Sequence, residues 1–133
     1  MGYVVLDTDI ASLSLKDQLP SNLKASITGK SICVTFVTVG ELTQWADLRS
    51  WGRQSWSELD EWLGSALVLD YDEAVARTWG RLSAAARRRG RPRQVNDTWI
   101  AACCLVEGLP LATRNVKDYI DFAEHHGLAL IGA

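Results

Sequence analysis

Five short apolar runs, separated by longer amphipathic stretches, set the tightest limit on what this chain can become. Tyr3 to Leu6, Ile32 to Val37, Ala66 to Leu69, Leu109 to Ala112 and Leu128 to Ile131 read as buried strands. The intervening segments carry helical periodicity. Glu41 to Ser50 places Leu42, Trp45 and Leu48 on one face, and Ser55 to Leu63 suits an antiparallel partner. Asp72 to Arg89 opens with acids and closes with bases, in keeping with the helix dipole, and Gly90 offers a stop. Val95 to Glu107 ends at Gly108 and Pro110, and Val116 to His126 ends at Gly127. Strands alternating with helices predict a mostly parallel sheet of four to five strands with helices on both faces, a three-layer α/β/α sandwich. At 133 residues the chain fits one domain, residues 1–133.

Several classes drop out early. No apolar run approaches the roughly 18 residues of a spanning helix, so no membrane partner is expected. The start lacks the basic and cleavage features of a secretory leader, which makes the cytoplasm the expected location. Cys33, Cys103 and Cys104 have no metal-ligand spacing and read as small core hydrophobes. His125 and His126 are neighbours on a helix and point apart, a poor ligand pair.

The acids are more informative. In open α/β sheets, sites lie beyond the carboxyl ends of the strands. Asp7 stands at that end of the first strand, followed by Thr8 and Asp9, either of which can cap a short helix. Glu41 shares a helix face with Trp45 and Leu48; its alternative role is a first-turn acid complementing the dipole. Asp97 heads the stripe of Ile100, Ala101, Cys104 and Leu105, and Asn96 or Asp97 could serve as an N-cap. Thr113, Arg114 and Asn115 follow the fourth strand, with Asp118 on the next helix. Carboxylates gathered at one sheet rim repel, so they raise one another's pKa or bind a cation. An all-oxygen set suits a hard ion, Mg²⁺ or Mn²⁺.

VVLDTDI, VTVGEL, VNDTWIAA and LATRNVKDY, in this order and at these separations, resemble the PIN-domain nucleases. In particular the chain is similar to the VapC toxins of bacterial toxin-antitoxin pairs, over essentially its whole length. The resemblance implies a PIN-like fold and a Mg²⁺-dependent endoribonuclease cutting RNA such as tRNA or rRNA. It also implies a homodimer and a cognate VapB-like antitoxin that blocks the site. By position, Asp7, Glu41 and Asp97 match the family's three main metal-site acids. Asn115 stands where the fourth usually lies, with Asp118 as its possible substitute; one or two metal ions are both open. Thr8, Asp9, Asn96, Thr113 and Asn115 are expected as polar support. In the expected mechanism Asp7 and Asp97 are the principal ligands. Glu41 completes the shell or orients the attacking water, and cleavage leaves a 5′-phosphate.

An RNA partner sharpens the charge argument. The formal net charge is only -2, yet seven arginines and no acid lie between residues 77 and 93. Arg77 and Arg81 suit a solvated helix face. Arg87, Arg88, Arg89, Arg91 and Arg93 are expected to form a phosphate-binding ridge beside Asp97, with Arg114 as a further contact. Trp45, Trp51, Trp56 and Trp62 fall in the helical hairpin, as core, as an interface for a second subunit or antitoxin, or as an RNA-stacking surface. Two rival readings remain at this stage. One is a phosphatase of the haloacid-dehalogenase type, suggested by Asp-Thr-Asp after a strand. The other is a catalytically inactive PIN-like module that binds RNA or a partner.

Overall fold

The computed structural model describes residues 2–132. Strands β1 (Tyr3–Leu6), β2 (Ser31–Thr35), β3 (Leu67–Leu69), β4 (Leu111–Thr113) and β5 (Leu130–Gly132) form one sheet in the order β3-β2-β1-β4-β5. Every pairing is parallel, with Val5 opposite both Cys33 and Leu111 and Cys33 opposite Leu67. Parallel neighbours need crossovers, and each one here is helical. Helices α1 (Thr8–Leu15) and α2 (Ser21–Ile27) join β1 to β2, and α3 (Phe36–Leu48) and α4 (Arg53–Gly64) join β2 to β3. The next crossover holds α5 (Glu73–Arg88) and α6 (Val95–Glu107), and α7 (Val116–His126) connects β4 to β5.

Alternation along the strands divides the core between the two faces of the sheet. Val5, Cys33 and Leu111 face a layer that includes Val75, Leu82, Ile100 and Phe122, from α5, α6 and α7. Val4, Leu6, Val34 and Ala112 face Ile10, Leu23, Leu42 and Leu59, from α1 to α4. Trp45, Trp51, Trp56 and Trp62 are half-buried against this second layer, where they fill core space.

Three local expectations need correction. The β2 run stops at Thr35, because the Thr35 hydroxyl accepts from the Thr38 N–H and caps α3 at Phe36. Glu41 therefore lies in the second turn of α3, outside the first turn, where a dipole-complementing acid belongs. Leu48, expected on the apolar face, is 75% exposed at the end of that helix. Helix α2 had no counterpart in the periodicity: it has seven residues, and Pro20 precedes it without a side-chain cap. At the other extreme, α6 and α7 run between the expected residues. Gly108 and Gly127 end them with φ of 67° and 77°, the left-handed conformation that glycine adopts without strain.

Because β2 and β4 lie on opposite sides of β1, the chain reverses its winding direction there. The reversal opens a crevice beyond the carboxyl end of β1. Asp7 is the residue that follows it.

Candidate active site

Asp7 caps α1 itself, a role expected of Thr8 or Asp9. One carboxyl oxygen accepts from the Ile10 N–H at 2.9 Å, and the other from the Thr113 hydroxyl at 2.5 Å. Thr113 in turn accepts from the Asn115 N–H at 2.9 Å, so the ends of β1 and β4 are tied through one hydroxyl. Asp7 is only 4% exposed, and burial pushes its carboxyl from 3.8 up to about 6, against the opposing pull of Thr113 and Ile10.

Glu41 enters from α3. Thr8, buried at the start of α1, donates to its Oε1 at 2.6 Å and lies 3.0 Å from the Thr38 hydroxyl. The Asn96 amide makes a longer contact, 3.4 Å, to Glu41 Oε2. Asp97 comes from the first turn of α6, where the Tyr119 hydroxyl donates to it at 3.2 Å. Burial again raises its carboxyl pKa; the Tyr119 hydrogen bond lowers it, and Asp118 and Glu41 push it up further. Tyr119 is held far above the ordinary phenol value, first by burial and then by Asp97 and Asp7, so it remains a donor.

Asp7, Thr8, Asp9, Glu41, Asp97, Asn115 and Asp118 line one cleft of about 110 Å³, with Trp45, Ile100 and Tyr119 completing the wall. The three acids expected at one rim, Asp7, Glu41 and Asp97, line this one cleft together with Asp118. Asn115 donates through its amide to Asp9 at 2.9 Å, and Asp118 lines the cleft one turn further along α7. Tyr119 was not singled out from sequence; beside Phe122 on an apolar stripe, it reads as core until its hydroxyl is seen to end at Asp97. A roomier cavity of about 540 Å³ opens at the other end of the sheet, by Tyr3, Lys30 and Leu67, away from these groups.

The donor set fits a hard, hydrated divalent ion. All its ligand atoms are oxygens, and the buried carboxylates carry an unfavourable charge that a cation relieves. Among the described residues no three His, Cys, Asp or Glu side chains are drawn together as a closed ligand set. Mg²⁺-like ions keep several waters and take few protein ligands.

The arginines separate. Arg93 is half-buried and close enough to Asp97 to lower its pKa. Arg87, Arg88 and Arg91 are exposed. Arg89 departs from the ridge: it is an ion-pair partner of buried Asp121 on α7, and its guanidinium is occupied in neutralising that carboxylate. Arg114 lines an adjoining cleft with Asp9, Ser12 and Asn115.

Comparison with known proteins agrees with this geometry. The PIN domain family model matches residues 4–125. Ribonuclease VapC2 of Haemophilus influenzae is 27% identical over 116 residues, which cover 86% of this chain and 88% of that protein. The tRNA(fMet)-specific endonuclease VapC of Salmonella typhimurium is 24% identical over 117 residues, with the same coverage. In fold, the chain is similar to a chain of the VapBC2 structure from Rickettsia felis bound to a promoter DNA fragment. The TM-score is 0.82 and the identity 24%, with 100% of this chain and 99% of that one covered. With the family model spanning all four acid-bearing segments and a sheet that gathers them at its switch point, the chain belongs to the PIN-domain family.

Proposed function

We propose that this protein is a metal-dependent endoribonuclease of the VapC type, with Mg²⁺ as its working ion and Mn²⁺ as a substitute. The observation that carries the reading is the cleft shared by Asp7, Glu41, Asp97 and Asp118, whose hydrogen-bond donors are uncharged. Asp7 and Asp97 are the principal ligands and Asp118 replaces the acid missing at Asn115. A bound divalent ion would lower the pKa of water and neutralise charge developing on the phosphoryl oxygens.

The protein's own groups supply the rest. Thr113 and the Ile10 N–H fix the Asp7 carboxylate, and Tyr119 fixes that of Asp97. Thr8 holds one oxygen of Glu41, leaving Oε2 with only the long Asn96 contact. That oxygen orients the attacking water and takes its proton. The water oxygen bonds to phosphorus, the bond to the 3′ oxygen breaks, that oxygen takes a proton from solvent, and the products are a 5′-phosphate and a 3′-hydroxyl. Arg93 and Arg114 steady the flanking phosphates. Among the described residues no lysine lines the cleft to suit an aspartyl-phosphate mechanism, which disfavours the phosphatase reading.

The relatives named VapC make structured RNA, tRNA above all, the first substrate to try. The neighbouring VapBC assemblies suggest a VapB-like antitoxin, and a homodimer is part of the same reading. Among the described residues no helix is long and apolar enough to cross a membrane. The place of action follows the substrate, the cytoplasm. The test maps RNA ends after incubation of total RNA with purified protein, in Mg²⁺, in Mn²⁺ and in chelator, beside Asp97→Asn. Discrete 5′-phosphate ends are expected with metal and wild-type protein only. Equal cutting by a folded Asp97→Asn protein would refute the assignment.

A further inference from the structure

A second groove, of about 510 Å³, opens on the α3 side of the acid cleft and shares Glu41 with it. Its remaining walls include Phe36, Gly40 and Gln44 of α3 and Asn96 and Trp99 of α6. The aromatic side is braced. Trp99 is stacked on Trp79, with centroids 5.2 Å apart and planes at 20°, and meets Phe36 edge to face at 5.7 Å. Phe36 is met in turn by Tyr71 at 5.6 Å. Gly40, one turn after Phe36 on α3, leaves space beside the ring: a Cβ built there meets no atom within 4 Å.

The geometry points to a nucleobase subsite: this groove receives an unstacked base of the RNA next to the phosphate that is cut. The inference rests on the ribonuclease reading above. Three observations select a base as occupant. The groove adjoins the acid cleft, sharing Glu41 with it, so a nucleotide flanking the reacting phosphate is within reach of it. No lysine or arginine lines it, and its one ionisable group is an acid, which disfavours a phosphate. It offers aromatic surface together with the side-chain amides of Gln44 and Asn96, the combination that holds a flat neutral ring and reads its edge. On the opposite flank the cleft holding Arg114 shares Asp9 and Asn115 with the acid site, so a cationic wall is available there for the backbone. The substrate path is thus polarised, with phosphate held on one side of the scissile bond and a base on the other. Gln44 and Asn96 become the residues that discriminate among bases.

Gly40→Leu tests this directly, because Gly40 lines the groove, a Cβ added there meets no atom within 4 Å, and leucine is a better helix former than glycine. Cleavage of an RNA carrying the mapped site is compared with the same RNA made abasic at each flanking nucleotide in turn. Wild-type protein is expected to lose roughly 5- to 100-fold in kcat/KM at one of the two positions, the range that single-base stacking supplies. Gly40→Leu is expected to lose a similar factor on intact RNA, to be indifferent to that abasic change, to melt no lower than wild type and to keep the wild-type assembly mass in solution. A Gly40→Leu protein that cuts intact RNA like wild type overturns the subsite. So does one whose assembly mass in solution falls together with its activity, which assigns the groove to a second copy of the chain. Wild-type protein that cuts no RNA in either metal is a different result: it removes the ribonuclease reading, and the subsite with it.

Discussion

Replacing Asp7 by Asn should abolish activity and at the same time stabilise the metal-free protein. Folding buries the Asp7 carboxyl and raises its pKa from 3.8 to about 6. At low pH the group is protonated in both folded and unfolded chains and no penalty exists. As pH rises through the lower value, the unfolded chain ionises while the folded one holds its proton, and stability falls until the folded carboxyl has also ionised. A shift of roughly two units corresponds to about 3 kcal/mol lost above about pH 6.5, with about half of it already gone at pH 5. Asparagine carries no charge to desolvate. Its oxygen can keep the Ile10 N–H, and the Thr113 hydroxyl has a lone pair free to accept from the new amide. Allowing about 1 kcal/mol for the rearranged hydrogen bonds, Asp7→Asn gains about 2 kcal/mol near neutral pH, or several degrees in Tm. Thermal melts in chelator, at about pH 5 and about pH 7.5, measure the gain and its growth with pH. Millimolar Mg²⁺ or Mn²⁺ should then raise the wild-type Tm and leave the variant's unchanged. A variant less stable than wild type at the higher pH, or a difference that shrinks as pH rises, refutes the reasoning.

Further perturbations separate holding from contact. Tyr119→Phe removes the hydroxyl from Asp97 while keeping the buried ring, so the fold should survive. The metal concentration for half-maximal cleavage should rise roughly 10-fold, the usual cost of losing a group that orients a ligand, as read from a Mn²⁺ titration of activity. Arg89→Ala strands Asp121 in the interior and should cost about 3 kcal/mol in urea unfolding, as for other broken buried pairs, with little change in KM for the folded fraction. Arg93→Ala should do the reverse, leaving the unfolding midpoint in place while raising KM and flattening the salt dependence of cleavage.

What the residues disclosed before folding depends on how locally each feature is encoded. Helix α6 could be bounded from sequence because Gly108 marks its end and its apolar stripe is continuous, and Asp97 stands out as an acid at the head of that stripe. Glu41 was visible for the same reason, although the start of α3 was not. Phe36 and Val37 prolong an apolar run, and only the capping contact of Thr35 shows that the strand has already ended. Helix α2 lacked both a side-chain cap and enough length to display a period, so its stability comes from burying Leu23 and Ile27 against the sheet. Among the arginines, nothing local distinguishes Arg89 from Arg87 or Arg88. Its partner lies 32 residues away on α7, and only the tertiary fold selects which guanidinium turns inward.

Asp7 and Asp121 are both nearly inaccessible, and the difference between them carries the functional argument. Asp121 is answered by Arg89, and His125 Nε2 lies 3.7 Å from its other oxygen. Such a carboxylate is balanced within the fold and asks nothing of a ligand. Asp7 receives only a threonine hydroxyl and a backbone N–H, Asp97 a phenol, and Glu41 a hydroxyl and an amide. These donors fix direction without cancelling charge. Arg93 comes near Asp97, but its effect there is weaker than the combined push of burial and neighbouring acids. Leaving the buried Asp7 with neutral donors alone costs stability, and a fold whose purpose was only to stand up would gain by pairing it, as Asp121 is paired. Holding the acids in place and leaving them unneutralised makes sense where the missing positive charge arrives from outside. The proposed function connects the burial of Asp7, the acids around an open cleft and the arginines near it, with the centre assigned to a cation and the margin to the polyanion it acts on.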